Sequence, residues 1–132
     1  MRFMLLQNYG SVESEMAPIH EWSESDIQTH IEFQIALNNE LRSLGELVDA
    51  QGLSGPHDAR FVTSDGLHPP VVSDGPFPET KELVAGYRLV EVASVDRAIE
   101  LAARISAAPG IDGAPIRQRI EVRQVLGAPG SS

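Results

Sequence analysis

The sequence predicts an α+β fold in which two helices cover one face of a four-stranded antiparallel sheet. Three observations carry that expectation. Two stretches hold apolar residues at helical spacing, each opened by a serine and closed by glycine or proline. Each of these stretches lies between two runs of strand character. A breaker-rich middle, from Ser54 to Pro78, separates the two units and leaves room for a small hairpin. The order β-α-β-(hairpin)-β-α-β is that of the ferredoxin-like split βαβ with an inserted hairpin.

The first strand is Arg2 to Gln7, which alternates weakly and is bounded by Asn8-Tyr9-Gly10. A polar loop with Pro18 follows, from Ser11 to Glu21. Ser23 is a suitable N-cap, Asp26 three residues later favours the helix dipole, and the helix runs from Glu24 to Leu44, before Gly45. Glu46 to Leu53 is the second strand, and Ser54-Gly55-Pro56-His57 is a loop. Arg60 to Thr63 pairs with Val71-Val72 as a hairpin around Ser64 to Pro70. Leu83 to Val92 is the clearest strand, and Gly86 within it marks a bulge or a close backbone approach. Ser94 caps the second helix, Val95 to Ala107, whose buried face is Val95, Ala98, Ile99, Ala102 and Ile105; Pro109-Gly110 ends it. The last strand spans Ile116 to Val125, with Ile116, Ile120 and Val122 on one side and Arg117, Arg119, Glu121 and Arg123 on the other. Residues 1–126 form one domain, and Gly127 to Ser132 reads as a flexible tail.

At 132 residues the chain can bury one core, and 42% hydrophobic with 22% charged residues is the balance of an ordinary globular protein. With no cysteine, disulfides, thiolate catalysis and Cys-bound zinc are excluded. The N-terminal apolar run, Phe3 to Leu6, is too short for a signal-peptide core or a membrane span, so a cytoplasmic protein without membrane contact is expected. The net charge of −9 repels phosphate backbones and argues against nucleic-acid binding. An anionic ligand would need the cations of the C-terminal half. His20, His30, His57 and His68 lack metal-binding spacing, and neither a phosphate loop nor a serine elbow is present, so no metal and no cofactor are expected.

The first helix carries an unusual stripe. Ile27, Ile31, Phe33, Ile35, Leu37, Leu41 and Leu44 spread over a broad apolar arc, and within it His30, Gln34 and Asn38 recur every four residues. Polar groups in that position must find partners. They either bond to loop backbone at a partly wet helix edge or line a ligand site. The sheet face opposite the helices stays open unless something covers it, and a homodimer is the economical way to cover it.

The stretch Val71 to Tyr87 contains Asp74-Gly75-Pro76-Phe77, then Glu79-Thr80-Lys81-Glu82, then Gly86-Tyr87. Pro76 and Pro78 make Ser73 to Pro78 a stiff, non-helical connection that presents an acid, an aromatic ring and a lysine. Together with Ile120-Glu121-Val122-Arg123, Met4-Leu5-Leu6, Gly45-Glu46-Leu47-Val48 and Gly52-Leu53, these motifs resemble the DGPF branch of the YCII-related proteins over nearly the whole chain. Gln124 departs from the pattern, which more often has proline there. The resemblance implies a dimeric α/β barrel and a pocket with a proposed acid or His–Asp centre. Asp74 carries over from the motif, and His30 is similar to a recurring histidine of the first helix. Relatives are often encoded beside extracytoplasmic-function sigma factors, which implies a regulatory partner as an alternative role.

Asp74 is thus a candidate general acid/base, or a turn residue whose carboxylate accepts backbone N–H bonds. Lys81 and Glu82 read as a solvated pair, and Tyr87 as a core ring with its hydroxyl at a pocket rim. Glu121 and Arg123 are either solvated or, inside a dimeric barrel, line a cleft where arginine grips a carboxylate. The candidate catalytic residues are Asp74 and His30. The candidate ligand contacts are Gln34, Phe77, Lys81, Tyr87, Glu121 and Arg123, acting on a small polar molecule near the DGPF loop.

Overall fold

The structure, a computed structural model, describes residues 1–9, 19–55, 58–74 and 83–130. Within them the chain runs β1 (Arg2–Tyr9), α1 (Glu24–Ser43), β2 (Leu47–Gly52), β3 (Arg60–Thr63), β4 (Val71–Asp74), β5 (Leu83–Glu91), α2 (Val95–Ser106) and β6 (Ile120–Gln124). Four strands form one antiparallel sheet in the order β2-β5-β1-β6, the ferredoxin-like arrangement, while β3 and β4 pair as a separate hairpin.

Both helices begin where a serine can cap them. The Ser23 hydroxyl accepts the Asp26 N–H at 3.1 Å, and the Ser94 hydroxyl accepts the Arg97 N–H at 3.2 Å. The end of α1 closes with paired bonds: the Glu46 N–H reaches the Leu41 carbonyl at 2.8 Å and the Gly45 N–H reaches the Arg42 carbonyl at 3.1 Å. That closure needs a left-handed residue, and Gly45 supplies it at φ +71°.

Antiparallel register sorts the sheet into two faces. Phe3 stands opposite Val90, and Leu5 opposite both Arg88 and Val122, all on the helix side. Phe3, Leu5 and Val90 pack with Leu37 and Leu41 of α1 and with Ala98, Leu101 and Ile105 of α2 to form the core. Gly86 proves to be both a bulge and a close approach. Gln7 and Asn8 of β1 stand opposite Gly86 and Val84, leaving Ala85 as the extra residue. A Cβ at Gly86 would lie 2.9 Å from the Gln51 carbonyl oxygen.

Three expectations need correcting. The apolar arc of α1 is wider than its buried face: Leu37 and Leu41 are buried, whereas Ile31, Ile35 and Leu44 are exposed. On α2, Val95 and Ile99 are exposed as well, and Leu101 takes a central place in the core. The last strand begins at Ile120, not Ile116. Arg117 adopts φ +61°, which breaks the extended run and costs of order 1 kcal/mol for a residue with a Cβ. The N–H groups of Ile116 and Arg117 instead bond the carbonyls of Ala108 and Ser106 at 2.9 and 2.8 Å, satisfying the end of α2.

Candidate functional site

The polar stripe of α1 meets a residue that the sequence reading did not single out, Arg88 of β5. Arg88 shares its face with Val90, so strand alternation drives it under α1 into the core, where it is only 3% exposed. Its Nε donates to Asn38 Oδ1 at 2.8 Å. One terminal nitrogen, Nη2, donates to Gln34 Oε1 at 2.6 Å and to the Gln34 carbonyl at 3.4 Å. Among the described residues no carboxylate pairs with it, the nearest acceptors being neutral amides. Burial pulls the guanidinium down to about 10, which leaves it charged at neutral pH. An arginine buried this way, with no carboxylate partner among the described residues, is costly to the fold by several kcal/mol before its hydrogen bonds are counted, by the general scale of ion desolvation.

The amide of Gln34 continues the line. Its Nε2 lies 3.3 Å from His30 Nε2, and His30 Nδ1 lies 3.1 Å from the Pro109 carbonyl, just past α2. The two ends of this chain decide the protons within it. Arginine only donates and a carbonyl only accepts. Gln34 must therefore turn its oxygen to Arg88 and its N–H to His30, and His30 must donate from Nδ1 and accept at Nε2. The ring is a neutral imidazole with one defined tautomer. Burial lowers the His30 pKa; the Pro109 carbonyl opposes that shift and the positive charge of Arg88 adds to it. The Trp22 ring stands edge-on to His30, with centroids 5.6 Å apart at 85°. His30 is only partly buried, so the line runs from a buried cation toward the surface.

The other candidates are distributed elsewhere. Tyr87 faces the opposite side of the sheet, where its hydroxyl donates to Asp49 Oδ2 at 3.1 Å and the phenol pKa is raised, first by that bond. Glu121 and Arg123 lie on the same face, opposite Leu6 and Met4, with their charged atoms 3.8 Å apart. That open face has a half-buried apolar centre of Met4, Leu6 and Leu89. Asp74 ends the hairpin, its carboxylate 3.9 Å from Arg60 Nε across the pair and its side chain 86% exposed. Asp74 and His30 are not joined by a hydrogen bond. Phe77 and Lys81, with the rest of Gly75–Glu82, lie outside the described residues.

A signal for Arg88 was present. In Val84-Ala85-Gly86-Tyr87-Arg88-Leu89-Val90-Glu91-Val92, arginine occupies the parity of Val90 and Val92, the face that has to be buried. Three amide or imidazole groups on α1 were then waiting for a donor.

Among the described residues no helix is long and apolar enough to cross a membrane, and no group of three His, Asp or Glu side chains is placed to hold a metal ion. No curated protein matches the chain. The family model of the YCII-related domain matches residues 1–114, and the chain belongs to that family.

Proposed function

We propose that the chain, as a member of the YCII-related family and of its DGPF branch, binds a small anionic molecule beside α1, with Arg88 as the fixed positive charge and His30 as the proton acceptor. The observation that carries this reading is a core arginine with amide partners and, among the described residues, no carboxylate. A purely structural buried cation is ordinarily paired, and an unpaired one joined through an amide to a neutral histidine is the electrostatic arrangement of a binding or acid–base site. The reaction class is general acid–base chemistry on a carboxylate- or phosphate-bearing substrate. Two copies pack their open sheet faces together as a dimeric α/β barrel, covering Met4, Leu6 and Leu89, and Glu121 and Arg123 then lie at the edge of the joint.

A second reading, a non-catalytic regulatory module with a structural DGPF motif, is favoured by one observation: the Asp74 carboxylate faces Arg60 within its own hairpin. An exposed pair at that distance contributes little stability, at most about 1 kcal/mol.

The test is a thermal-shift screen of small carboxylates and phosphates on wild type, His30→Ala and Asp74→Ala. A ligand that binds the native state raises the melting temperature. The expected result is a shift that His30→Ala loses while staying folded. A shift that survives His30→Ala but vanishes in Asp74→Ala would move the site to the hairpin and overturn the assignment. A monomer at micromolar concentration by sedimentation would overturn the dimer.

A further inference from the structure

Arg117 and Arg119 do not follow Glu121 and Arg123 onto the open sheet face. The left-handed turn at Arg117 breaks the alternation, and both residues instead line a groove of about 450 Å³ between α2 and the segment entering β6. The walls are apolar: Ile99, Ala102 and Ala103 from α2, and Ile120 and Val122 from the strand. Ile99 is 53% exposed, so the core leaves this wall in water. Gln118, between the two arginines, is tied down: its amide nitrogen donates to the Asn8 carbonyl at 3.1 Å, and its oxygen accepts from Gln7 Nε2 at 3.4 Å. The turn that presents the arginines is therefore held from three sides, by Gln118 and by the two backbone bonds to the end of α2. Among the described residues Arg117 forms no ion pair.

We propose that this groove binds a medium-chain alkyl carboxylate, with the chain along the α2–β6 wall and the carboxylate at Arg117. The volume falls in the range of small-molecule sites, roughly 300–1,000 Å³. The apolar walls call for a hydrocarbon, and the Arg117 guanidinium on the same lining calls for a planar anion that accepts paired hydrogen bonds. On a protein of net charge −9, an anion is held only beside a cation that is not already neutralised, and Arg117 has no ion pair among the described residues. The site lies on the α2 side of the sheet, apart from the Arg88 line, and stands whether or not that line binds a ligand.

The experiment titrates the full chain with decanoate, decanol and acetate, following the backbone amide signals of Ile99, Ala102 and Val122 by NMR. Arg117→Gly is the main variant, because glycine accepts φ +61° without strain and the fold is kept. Ala103→Asp, at an exposed wall position, sets a like charge against the ligand. The expected result is saturable binding of decanoate, with decanol and acetate each at least about tenfold weaker, and a loss of about tenfold or more in both variants. Decanol binding as tightly as decanoate, an Arg117→Gly affinity within about twofold of wild type, or no saturable shift at these amides would overturn the proposal.

Discussion

The two helices cover the same sheet, yet the interfaces they make with it differ in kind. Under α2 the contact is hydrocarbon: Ala98, Leu101 and Ile105 pack on Phe3 and Leu5, and all five are buried. Under α1 only Leu37 and Leu41 are of that sort. Asn38, Gln34 and His30 of the same helix form a polar line that meets a buried arginine. An apolar interface gains stability with each methylene group removed from water. A polar one at best recovers its desolvation through hydrogen bonds, and apolar residues of the same volume often do as well or better. The α2 side thus has the composition expected of a fold-holding contact. The α1 side lacks that composition, which is the basis for proposing a ligand there.

Three measurements break or sharpen that contrast, beginning with the largest effect. Leu101→Ala, under α2, is expected to lower unfolding free energy by about 3 kcal/mol in a urea titration, because it opens a cavity in a fully buried position. A loss below about 1 kcal/mol would mean that the α2 side is not the fold's main support. Arg88→Met is expected to lose about 2 kcal/mol, since it strands the oxygens of Asn38 and Gln34 without a donor. Combining it with Gln34→Met and Asn38→Leu should return stability to the wild-type level or above it. A triple variant no more stable than Arg88→Met alone would show that the polar line holds the fold together after all.

The smallest effect lies in pH. His30 is partly buried and its folded pKa sits below its unfolded value, so the unfolded chain binds the extra proton. Stability from this group is therefore fully present above about pH 6.5 and is lost as pH falls through the lowered folded pKa. Wild type minus His30→Gln, followed by denaturant titration from pH 8 down to pH 5, should be flat at first and then decline. A difference that rises on acidification would mean that His30 is charged in the fold and that the proton arrangement along Gln34 is reversed.

Much of this was legible in the sequence where local and long-range signals agreed. The serine caps, Gly45, the hairpin and the order of elements follow from spacing and turn chemistry alone. The buried face of α1 was harder to read, because apolar residues surround that helix on more sides than the sheet can cover; Ile31 and Ile35 therefore fall in solvent. His30, Gln34 and Asn38 were visible as an anomaly, but their partner was hidden in another strand, where the face that Arg88 takes is shown only by the parity it shares with Val90 and Val92. The start of β6 escaped because no glycine marks the left-handed residue there: Arg117 is held at positive φ by tertiary bonds, which a local pattern cannot reveal.

The orientation of the Gln34 amide also acts as a latch. Its hydrogen occupies the one lone pair with which His30 could take up a proton, and its oxygen is held in place by Arg88. At rest the base is present but covered. On the proposed reading, an anion that drew Arg88 Nη2 to itself would release the far end of that amide and leave the imidazole nitrogen open. Occupancy at the cation and availability of the base would then be tied through a single rotatable group.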